Sequence, residues 1–378
     1  GAKVEGRLVQ VREAIHPGTY IGKGKLEEVR SLIEETGATG IICDDELSPA
    51  QLRNLEDALG TKVMDRTMVI LDIFASRATT SEGKIQVEVA QLKYRSTRLT
   101  GLGTTLSRLG GGIGTRGPGE KKLETDRRII RDRISRLSKD LEEIKNHREV
   151  ARQNRSRTAV PVAAIVGYTN AGKSTLLNYM TDAGILSEDK LFATLDPTTR
   201  AMNLPNGEKI LLTDTVGFIR KLPHNLIEAF KSTLEEAKYA DIIVHVVDAS
   251  SPDRDIQMDV VYKTLKELEV GDKPVVTLFN KCDKFENGDT EAPVLRDFKA
   301  DETAYISART GSGIADFEAI LEKIILESRV HLVQTFAYAD AGKIQQIRAQ
   351  GQLIKEEYTE NGIEVEAYVP KALYQKLQ

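Results

Sequence analysis

Residues 167–174 read Gly167-Tyr168-Thr169-Asn170-Ala171-Gly172-Lys173-Ser174. Two glycines five positions apart, the second followed by lysine and serine, form the pattern of a phosphate-binding loop. An apolar strand candidate at 160–166 precedes the loop and a helical pattern at 174–180 follows it, which is the context that the pattern requires. The sequence therefore predicts a nucleotide site built from this loop and the neighbouring Thr175.

The residue types of the loop suit a phosphate group and its counter-ion. Glycines leave room for backbone N–H groups to turn toward phosphate oxygens, and the N-terminus of the following helix adds its positive end. Lys173 is expected to reach the β- and γ-phosphates, and the Ser174 hydroxyl is expected to ligate Mg²⁺. We therefore assign a catalytic role to Lys173 and a metal-binding role to Ser174.

A second motif, Asp214-Thr215-Val216-Gly217, ends the strand candidate Lys209–Thr213. A carboxylate at a strand end opposite the phosphate loop suits the Mg²⁺ shell, with a water molecule between them. Gly217 has no side chain, so its N–H can approach the γ-phosphate, and we assign it a catalytic role. Phe218 follows where Ras-like proteins have a glutamine that orients the attacking water. Intrinsic hydrolysis should therefore be slow and depend on a partner or an extra cation.

Base selectivity is expected from Asn280-Lys281-Cys282-Asp283, which follows the strand candidate Pro274–Phe279. The Asp283 carboxylate can accept hydrogen bonds from N1–H and the N2 amine of guanine, whereas adenine would leave it facing a lone pair. Asn280 is expected to brace the phosphate loop. After the next strand candidate, Ser307-Ala308-Arg309 brings a backbone N–H near the guanine oxygen. Together the motifs predict a protein that binds GTP and hydrolyses it with Mg²⁺.

The segment Phe192-Ala193-Thr194-Leu195-Asp196 lies between the phosphate loop and Asp214. A threonine in such a flexible segment can complete the Mg²⁺ shell only when a γ-phosphate is present. Residue chemistry alone leaves Thr194, Thr198 and Thr199 open as that ligand. We expect residues 192–196 to contact the nucleotide.

The whole sequence predicts an α/β protein with four parts. The parts are an N-terminal α/β subdomain (1–80), a glycine-rich loop with a basic coiled helical hairpin (81–157), a phosphate-loop GTPase domain (158–328) and a small C-terminal α+β domain (329–378). The GTPase domain should have a mostly parallel sheet with helices on both faces, and the turn Pro205–Gly207 predicts one antiparallel edge pair.

Strand and helix patterns alternate in the first part, which favours a parallel sheet. The strand candidates are Leu8–Val11, Gly40–Cys43 and Thr61–Met64. Ser48 is expected to cap a helix that runs to Leu59, with Pro49 at its first position.

The second part combines a glycine-rich stretch with a long helix. Residues 101–119 have few apolar side chains to pack and predict a mobile loop. A helix is expected from about Lys121 to Arg152, packed antiparallel against a helix at 86–98. Its apolar residues recur at a heptad spacing that predicts a packing seam: Leu123, Ile130, Ile134, Leu137, Leu141 and Ile144.

Charge is distributed unevenly along a chain whose net charge is −4. Residues 81–157 hold 19 Lys and Arg against 10 Asp and Glu, so this part carries +9. A basic segment between acidic flanks favours contact with nucleic-acid phosphates, although a solvated charged helix gives the same pattern. The two cysteines, Cys43 and Cys282, are too few for a disulfide framework or a cysteine metal site. With no apolar run of roughly 18 residues, we expect a cytoplasmic monomer without membrane insertion.

The nucleotide motifs, in this order, resemble those of the Obg–Era–HflX group of GTPases. Four further stretches outside the core of the nucleotide site resemble the HflX family within that group. They are Asp44–Pro49, Arg98–Gly103, the glycine-rich run Gly110–Glu120, and Phe192–Thr199. The resemblance covers essentially the whole chain, although family members usually have a few dozen more residues at the N-terminus. Part of the first subdomain's sheet is therefore expected to lie before Gly1.

The resemblance implies a ribosome-associated GTPase that binds GTP or GDP and the large ribosomal subunit with its RNA. Members of the family are linked to splitting or rescuing stalled ribosomes, and a role in ribosome biogenesis is also open. By the family pattern Thr194 is the switch threonine on Mg²⁺, with a catalytic role. The glycine-rich loop and the hairpin would reach ribosomal RNA near the peptidyl-transferase region, where basic residues neutralise phosphates.

Two other functions fit part of the sequence. A nucleotide switch could bind a protein effector through the hairpin without RNA, and salt-dependent binding to ribosomal subunits separates this alternative from the first. An RNA helicase-like or ATP-using role for residues 1–80 is disfavoured because Gly22-Lys-Gly-Lys lacks the spacing of a phosphate loop.

Because Phe218 cannot position water, another group must supply transition-state charge or orientation, and Asn170 is a candidate for this role. Several relatives in this GTPase group with asparagine at this place use a bound K⁺ beside the phosphates, and this sequence looks similar. A K⁺ would place positive charge where an arginine finger acts in other GTPases. The alternative is that Asn170 only makes hydrogen bonds within the loop.

Overall fold

A computed structural model describes residues 2–11, 13–99, 118–156, 160–181, 197–220, 236–285 and 295–377. The described residues form two compact units, one up to Ile144 and one from Lys145 onward. Both contain helices and strands, and the α/β class is as predicted. The predicted boundaries of the four parts stay predictions. Among the described residues, no helix is both long and apolar enough to cross a bilayer.

The first unit begins with a small α/β layer. Its elements are α1 (Lys23–Thr36), β1 (Gly40–Cys43), α2 (Pro49–Leu59), β2 (Lys62–Asp65) and α3 (Arg66–Arg77). β1 and β2 pair in parallel, and Leu26, Leu55 and Val63 are part of the apolar core beneath them. The Ser48 side chain accepts a hydrogen bond from the Gln51 N–H at 3.2 Å, and the Gln51 side chain accepts one from the Ser48 N–H at 3.0 Å. This reciprocal cap explains why α2 begins at the predicted place.

The predicted strand at Leu8–Val11 is wrong. These residues have no strand conformation, and Val9 and Val11 expose 64% and 94% of their surface. An apolar segment becomes a strand only when another backbone satisfies its N–H and C=O groups, and no strand among the described residues pairs with this segment.

A helical hairpin follows this layer, formed by α4 (Ser81–Leu99) and α5 (Pro118–Ser156), of which the residues up to Ile144 belong to the first unit. The guanidinium of Arg127 donates to the Leu99 carbonyl at 3.1 Å, and Arg133 pairs with Glu88 at 2.9 Å. Residues later in α5 thus meet residues earlier in α4, so the predicted antiparallel packing is confirmed. The described seam residues of α5 are buried or half-buried: Ile130, Ile134, Leu137, Leu141 and Ile144.

The predicted helix start at Lys121 and loop end at Gly119 are wrong, because α5 begins at Pro118. Proline suits the first helical position, where the missing N–H leaves no hydrogen bond unmade. The rest of the predicted glycine-rich loop, residues 101–117, lies outside the described residues.

The second unit contains a six-stranded sheet. Its elements are β3 (Val162–Gly167), α6 (Lys173–Thr181), β4 (Thr198–Asn203), β5 (Lys209–Asp214), β6 (Ile242–Asp248), α7 (Arg254–Glu267), β7 (Val275–Asn280), β8 (Glu302–Tyr305) and α8 (Ile314–Glu327). The strand order is β4-β5-β3-β6-β7-β8, and only β4 is antiparallel to its neighbour. The predicted turn joins β4 to β5, with Gly207 at a φ of 84°. Because the other strands are parallel, their carboxyl ends meet at one edge of the sheet, where ligands bind in such folds.

The same unit ends in a small α+β layer, as predicted. It consists of β9 (Val330–Phe336), α9 (Ala341–Gln350), β10 (Gln352–Thr359), β11 (Gly362–Val369) and α10 (Lys371–Leu377). The sheet is antiparallel in the order β10-β11-β9. Leu332, Ile347, Val365 and Leu373 are buried in a core of their own, which the strands share with α9 and α10.

Candidate nucleotide-binding site

The phosphate loop leaves the carboxyl end of β3 and enters α6. Gly167 has a φ of 153°, and a Cβ there would lie 2.3 Å from the Val246 carbonyl oxygen. Gly172 has a φ of 100°, and a Cβ there would lie 2.2 Å from the Asn280 side-chain nitrogen. Both glycines are therefore required by space as well as by conformation. Asn170 adopts the left-handed conformation at a φ of 63°, which asparagine tolerates better than most residues.

Lys173 stands at the start of α6 with its side chain folded over the loop. Its ammonium donates to the carbonyls of Tyr168 at 2.9 Å and Gly167 at 3.2 Å. Burial lowers the pKa of Lys173 to about 8, and the attraction of Asp214 opposes that shift. Because this pKa is close to neutral pH, a ligand that shifts the pKa of Lys173 also changes the charge of the lysine.

Nucleotide binding should take up protons above neutral pH. Phosphate oxygens beside Lys173 would hold it charged, whereas its pKa in this structure is about 8. Below pH 7 the lysine is already charged and takes up no proton; at pH 8.5 it is partly neutral, so we expect proton uptake on binding and affinity falling with pH. Calorimetric titration with GDP in two buffers of different ionisation enthalpy measures this uptake. Equal heats in the two buffers at pH 8.5, after correction for concentration, would contradict the prediction.

Ser174 and Asp214 face each other beside the loop. The Ser174 hydroxyl donates to the Asp214 carboxylate at 2.7 Å, and Asp214 is fully buried at the end of β5. A hydroxyl and a carboxylate are hard oxygen ligands of the kind that Mg²⁺ takes, so the pair fits this ion. The described residues contain no group of three or more His, Cys, Asp or Glu side chains placed to hold a metal. Mg²⁺ uses one or two protein ligands together with phosphates and water, and Ser174 and Asp214 supply that number.

The second motif is bound to the phosphate loop through its backbone. Thr215 donates its hydroxyl to the Ile165 carbonyl at 2.8 Å, and Val216 is buried behind it. The Phe218 N–H donates to the Gly167 carbonyl at 3.0 Å, and the Thr169 N–H donates to the Phe218 carbonyl at 2.8 Å. Phe218 is only 3% exposed, so its side chain packs inward and does not face solvent. The sequence showed the missing glutamine but gave no sign of these backbone bonds.

Gly217 lies against the loop with no room for a side chain. A Cβ at this position would be 2.9 Å from the Lys173 ammonium and 2.9 Å from the Thr169 Cα. The Lys173 ammonium therefore lies close to the backbone of the second motif.

The third motif follows β7 and braces the phosphate loop. Asn280 donates its amide to the Ala171 carbonyl at 2.8 Å and accepts from the Ala308 N–H at 2.9 Å. Lys281, at a φ of 68°, donates to the Asn170 carbonyl at 2.7 Å. Asn280 thus ties the loop to the segment after β8, and Lys281 adds a second bond from this motif to the loop.

Asp283 and Ser307 meet at the place predicted for base selection. The Ser307 hydroxyl donates to the Asp283 carboxylate at 2.8 Å, and Ser307 is fully buried. The Cys282 N–H donates to the Ile306 carbonyl at 3.2 Å, while the Arg309 side chain is exposed. The carboxylate is therefore held in one orientation by a buried neighbour.

The segment predicted to respond to the γ-phosphate divides between the described and undescribed parts of the chain. Phe192–Asp196, with Thr194, lie outside the described residues. Thr198 and Thr199 belong to β4, and the hydroxyls of Thr199 and Thr213 are 2.9 Å apart across the strand pair. This engagement in the sheet disfavours Thr199 as the switch ligand, and Thr194 stays a prediction.

Three family models match successive parts of the chain. They are described as GTP-binding GTPase N-terminal for residues 1–75, GTP-binding GTPase Middle Region for residues 77–155, and 50S ribosome-binding GTPase for residues 162–281. The matches follow the order of the N-terminal layer, the hairpin and the phosphate-loop sheet.

Curated relatives named GTPase HflX are similar over nearly the whole chain. The relative from Lacrimispora saccharolytica is 66% identical over 377 residues, which are 100% of this chain and 88% of the relative. The relative from Caldanaerobacter subterraneus is 50% identical over 378 residues, 100% of this chain and 86% of the relative. The relative from Escherichia coli is 43% identical over 351 residues, 92% of this chain and 82% of the relative.

Proposed function

The chain belongs to the HflX family, a family of ribosome-binding GTPases that hydrolyse GTP, and from this premise we propose that its nucleotide state controls how tightly it binds the large ribosomal subunit. The closeness of the Gly217 backbone to the Lys173 ammonium carries the proposal, because a γ-phosphate held by the lysine would lie near the backbone of the second motif. The same proposal includes splitting or rescue of stalled ribosomes as the outcome of binding.

The site residues have separable roles in this proposal. Lys173 and the loop N–H groups bind the phosphates, Gly217 donates its N–H to the γ-phosphate, and Asp283 selects guanine. Ser174 would hold Mg²⁺ directly and Asp214 through water, with Thr194 joining them in the GTP state. The metal, when bound, supplies positive charge beside the β- and γ-oxygens.

The ribosome-binding surface proposed here is a basic stripe on α5, defined as Arg128, Arg131, Arg136 and Lys139. At about 100° per residue these side chains lie on the face opposite the seam. All four are exposed, and none forms an ion pair with another described residue. Asp132 lies within the same arc, so the stripe is basic but not uniformly so.

Arg148 lies in the basic segment 81–157 but does not belong to the stripe. It is half-buried, and its guanidinium lies 3.8 Å from the Glu236 carboxylate. Arg152 and Arg155 are further basic residues of that segment, and their side chains lie outside those described.

Sedimentation with purified large subunits tests the proposed function. We expect more protein to travel with the subunit in a non-hydrolysable GTP analogue than in GDP, because only the former places a γ-phosphate at Lys173. Equal binding in both nucleotides, or none in either, would overturn the proposal. For the splitting role, sucrose gradients should show intact ribosomes converted to subunits when the protein and GTP are added.

Asn170 should make hydrolysis depend on K⁺. Its side chain is exposed, and its backbone carbonyl is held by Lys281 at 2.7 Å, so the amide is left at the surface of the loop. We expect GTP turnover to be on the order of tenfold faster in K⁺ than in Na⁺ at equal ionic strength. The variant Asn170→Ala should lose that difference, whereas Asn203→Ala, at an exposed position of β4, should keep it. Identical rates in the two salts, with and without ribosomes, would eliminate the cation.

A further inference from the structure

The carboxyl end of β6 contacts the guanine motif at three points. Asp248 pairs with the Lys281 ammonium at 2.8 Å. The Ala249 N–H donates to the Asn280 carbonyl at 2.9 Å, and Lys284 donates to the Ser250 hydroxyl at 3.1 Å. No part of the nucleotide chemistry described above uses Asp248 or Ser250.

Asp248 is itself held in place. One carboxylate oxygen accepts from the Ser250 N–H at 3.0 Å and from the Ser250 hydroxyl at 2.6 Å, and the other faces Lys281. Burial alone would raise the pKa of Asp248, but the hydrogen bonds from Lys281 and Ser250 lower it, so the group is charged at neutral pH. The side chains of Asp248 and Lys281 are each only 17% exposed, which limits screening of the pair by solvent.

Lys281 connects Asp248 to the phosphate loop. The same ammonium that pairs with Asp248 donates to the Asn170 carbonyl at 2.7 Å, and the Asn280 amide donates to the next carbonyl, that of Ala171, at 2.8 Å. Within a trans peptide unit the carbonyl and the N–H point in opposite directions. Holding these two carbonyls toward the guanine motif therefore turns the N–H groups that follow them away from that motif, and the first of them, that of Ala171, donates to the Tyr168 carbonyl within the loop at 3.3 Å.

We propose that Asp248 is a positioning residue for nucleotide binding. It fixes the direction of the Lys281 side chain and, through it, the position of the Asn170 carbonyl in the phosphate loop. The carboxylate does not touch the nucleotide. It neutralises the lysine and holds it on the Asn170 carbonyl, so that the base-selecting motif and the phosphate loop bind one nucleotide as a rigid pair. The proposal rests on the assignment of the nucleotide site made above.

Nucleotide dissociation from Asp248→Asn tests the proposal. Asparagine keeps the size of the side chain and can still accept from Ser250, but it loses the charge that holds Lys281. We expect GDP and GTP to dissociate about tenfold faster and KM to rise by a similar factor, with kcat changed by less than about threefold because the reacting groups are untouched. Asp255→Asn is the matched control, because that carboxylate is 86% exposed on α7. Dissociation rates equal to those of the control would overturn the proposal.

A double-mutant cycle separates positioning from a general loss of stability. Lys281→Met should accelerate dissociation by a similar factor, and the double variant should be no worse than the worse single variant. If the fold increases in dissociation rate of the two single variants multiply in the double variant, Asp248 acts independently of Lys281 and the proposal is overturned. If Asp248→Asn melts at a lower temperature without nucleotide, Lys281→Met and Ser250→Ala decide the question by the same dissociation measurement. Preference for GTP over XTP should persist in Asp248→Asn; loss of preference with unchanged dissociation would count against both Asp248 and the assignment of Asp283.

Discussion

Replacement of Asp283 by asparagine should weaken GTP binding by on the order of a hundredfold or more and admit xanthosine triphosphate. The Ser307 hydroxyl donates to one oxygen of Asp283 at 2.8 Å, and an asparagine would keep its own oxygen at that position. Its NH₂ group would then occupy the other position and face the base. An amide can donate to the 2-oxygen of xanthine but repels the N1–H and amine of guanine. Competition for a fluorescent guanine nucleotide by GTP and XTP measures both changes.

The variant Asp255→Asn removes the same charge from an exposed site of the same unit and should leave both affinities unchanged. The removal of the Ser307 hydroxyl offers a second check. In Ser307→Ala the carboxylate loses its fixed orientation, and we expect a smaller loss of GTP affinity, about tenfold, without a gain for XTP. Unchanged GTP affinity in Asp283→Asn would remove this residue from the base site.

Serine in place of Arg128, Arg131 and Arg136 should weaken binding to the large subunit by on the order of a hundredfold near physiological salt. Each arginine that neutralises a phosphate releases counter-ions, so the triple change should also flatten the salt dependence by about one unit of log–log slope for each phosphate that is no longer neutralised. GTP turnover without ribosomes should stay the same, because no residue of the stripe belongs to the nucleotide site. Sedimentation binding at several salt concentrations gives both numbers.

A charge-matched control uses three exposed lysines outside the hairpin, Lys263, Lys266 and Lys371, changed to serine together. This control separates contact by the stripe from an effect of net charge alone. If both triple variants lose affinity equally, the attraction is not specific to α5. If the stripe variant binds with an unchanged salt slope, the hairpin binds a protein surface instead.

Local patterns were sufficient to predict much of the fold. The phosphate loop was predictable because its glycines, lysine and serine stand at fixed spacing between a strand and a helix. The start of α2 followed from Ser48 and Gln51, whose side chains cap each other across only three residues. The seam of α5 followed from its heptad spacing, and the low exposure of the described seam residues supports it.

Features that depend on distant partners were not predictable in the same way. Nothing near Asp248 in the sequence indicates that it forms an ion pair with Lys281, 33 positions later. Arg148 contributes to the basic charge of residues 81–157, but charge runs do not show that Glu236 lies beside it. The segment Leu8–Val11 has the residue types of a strand, but strand formation depends on a neighbouring backbone that residue types cannot supply.

The seam and the stripe occupy opposite faces of one helix of 39 residues, and this restricts how α5 can change in length. Insertion of one residue between Arg131 and Leu137 would rotate everything beyond it by about 100°, so half of the seam would leave α4 and half of the stripe would turn sideways. Insertion of seven residues would leave a rotation of only about 20°. Viable insertions and deletions among relatives should therefore fall outside α5, or occur within it in whole heptads.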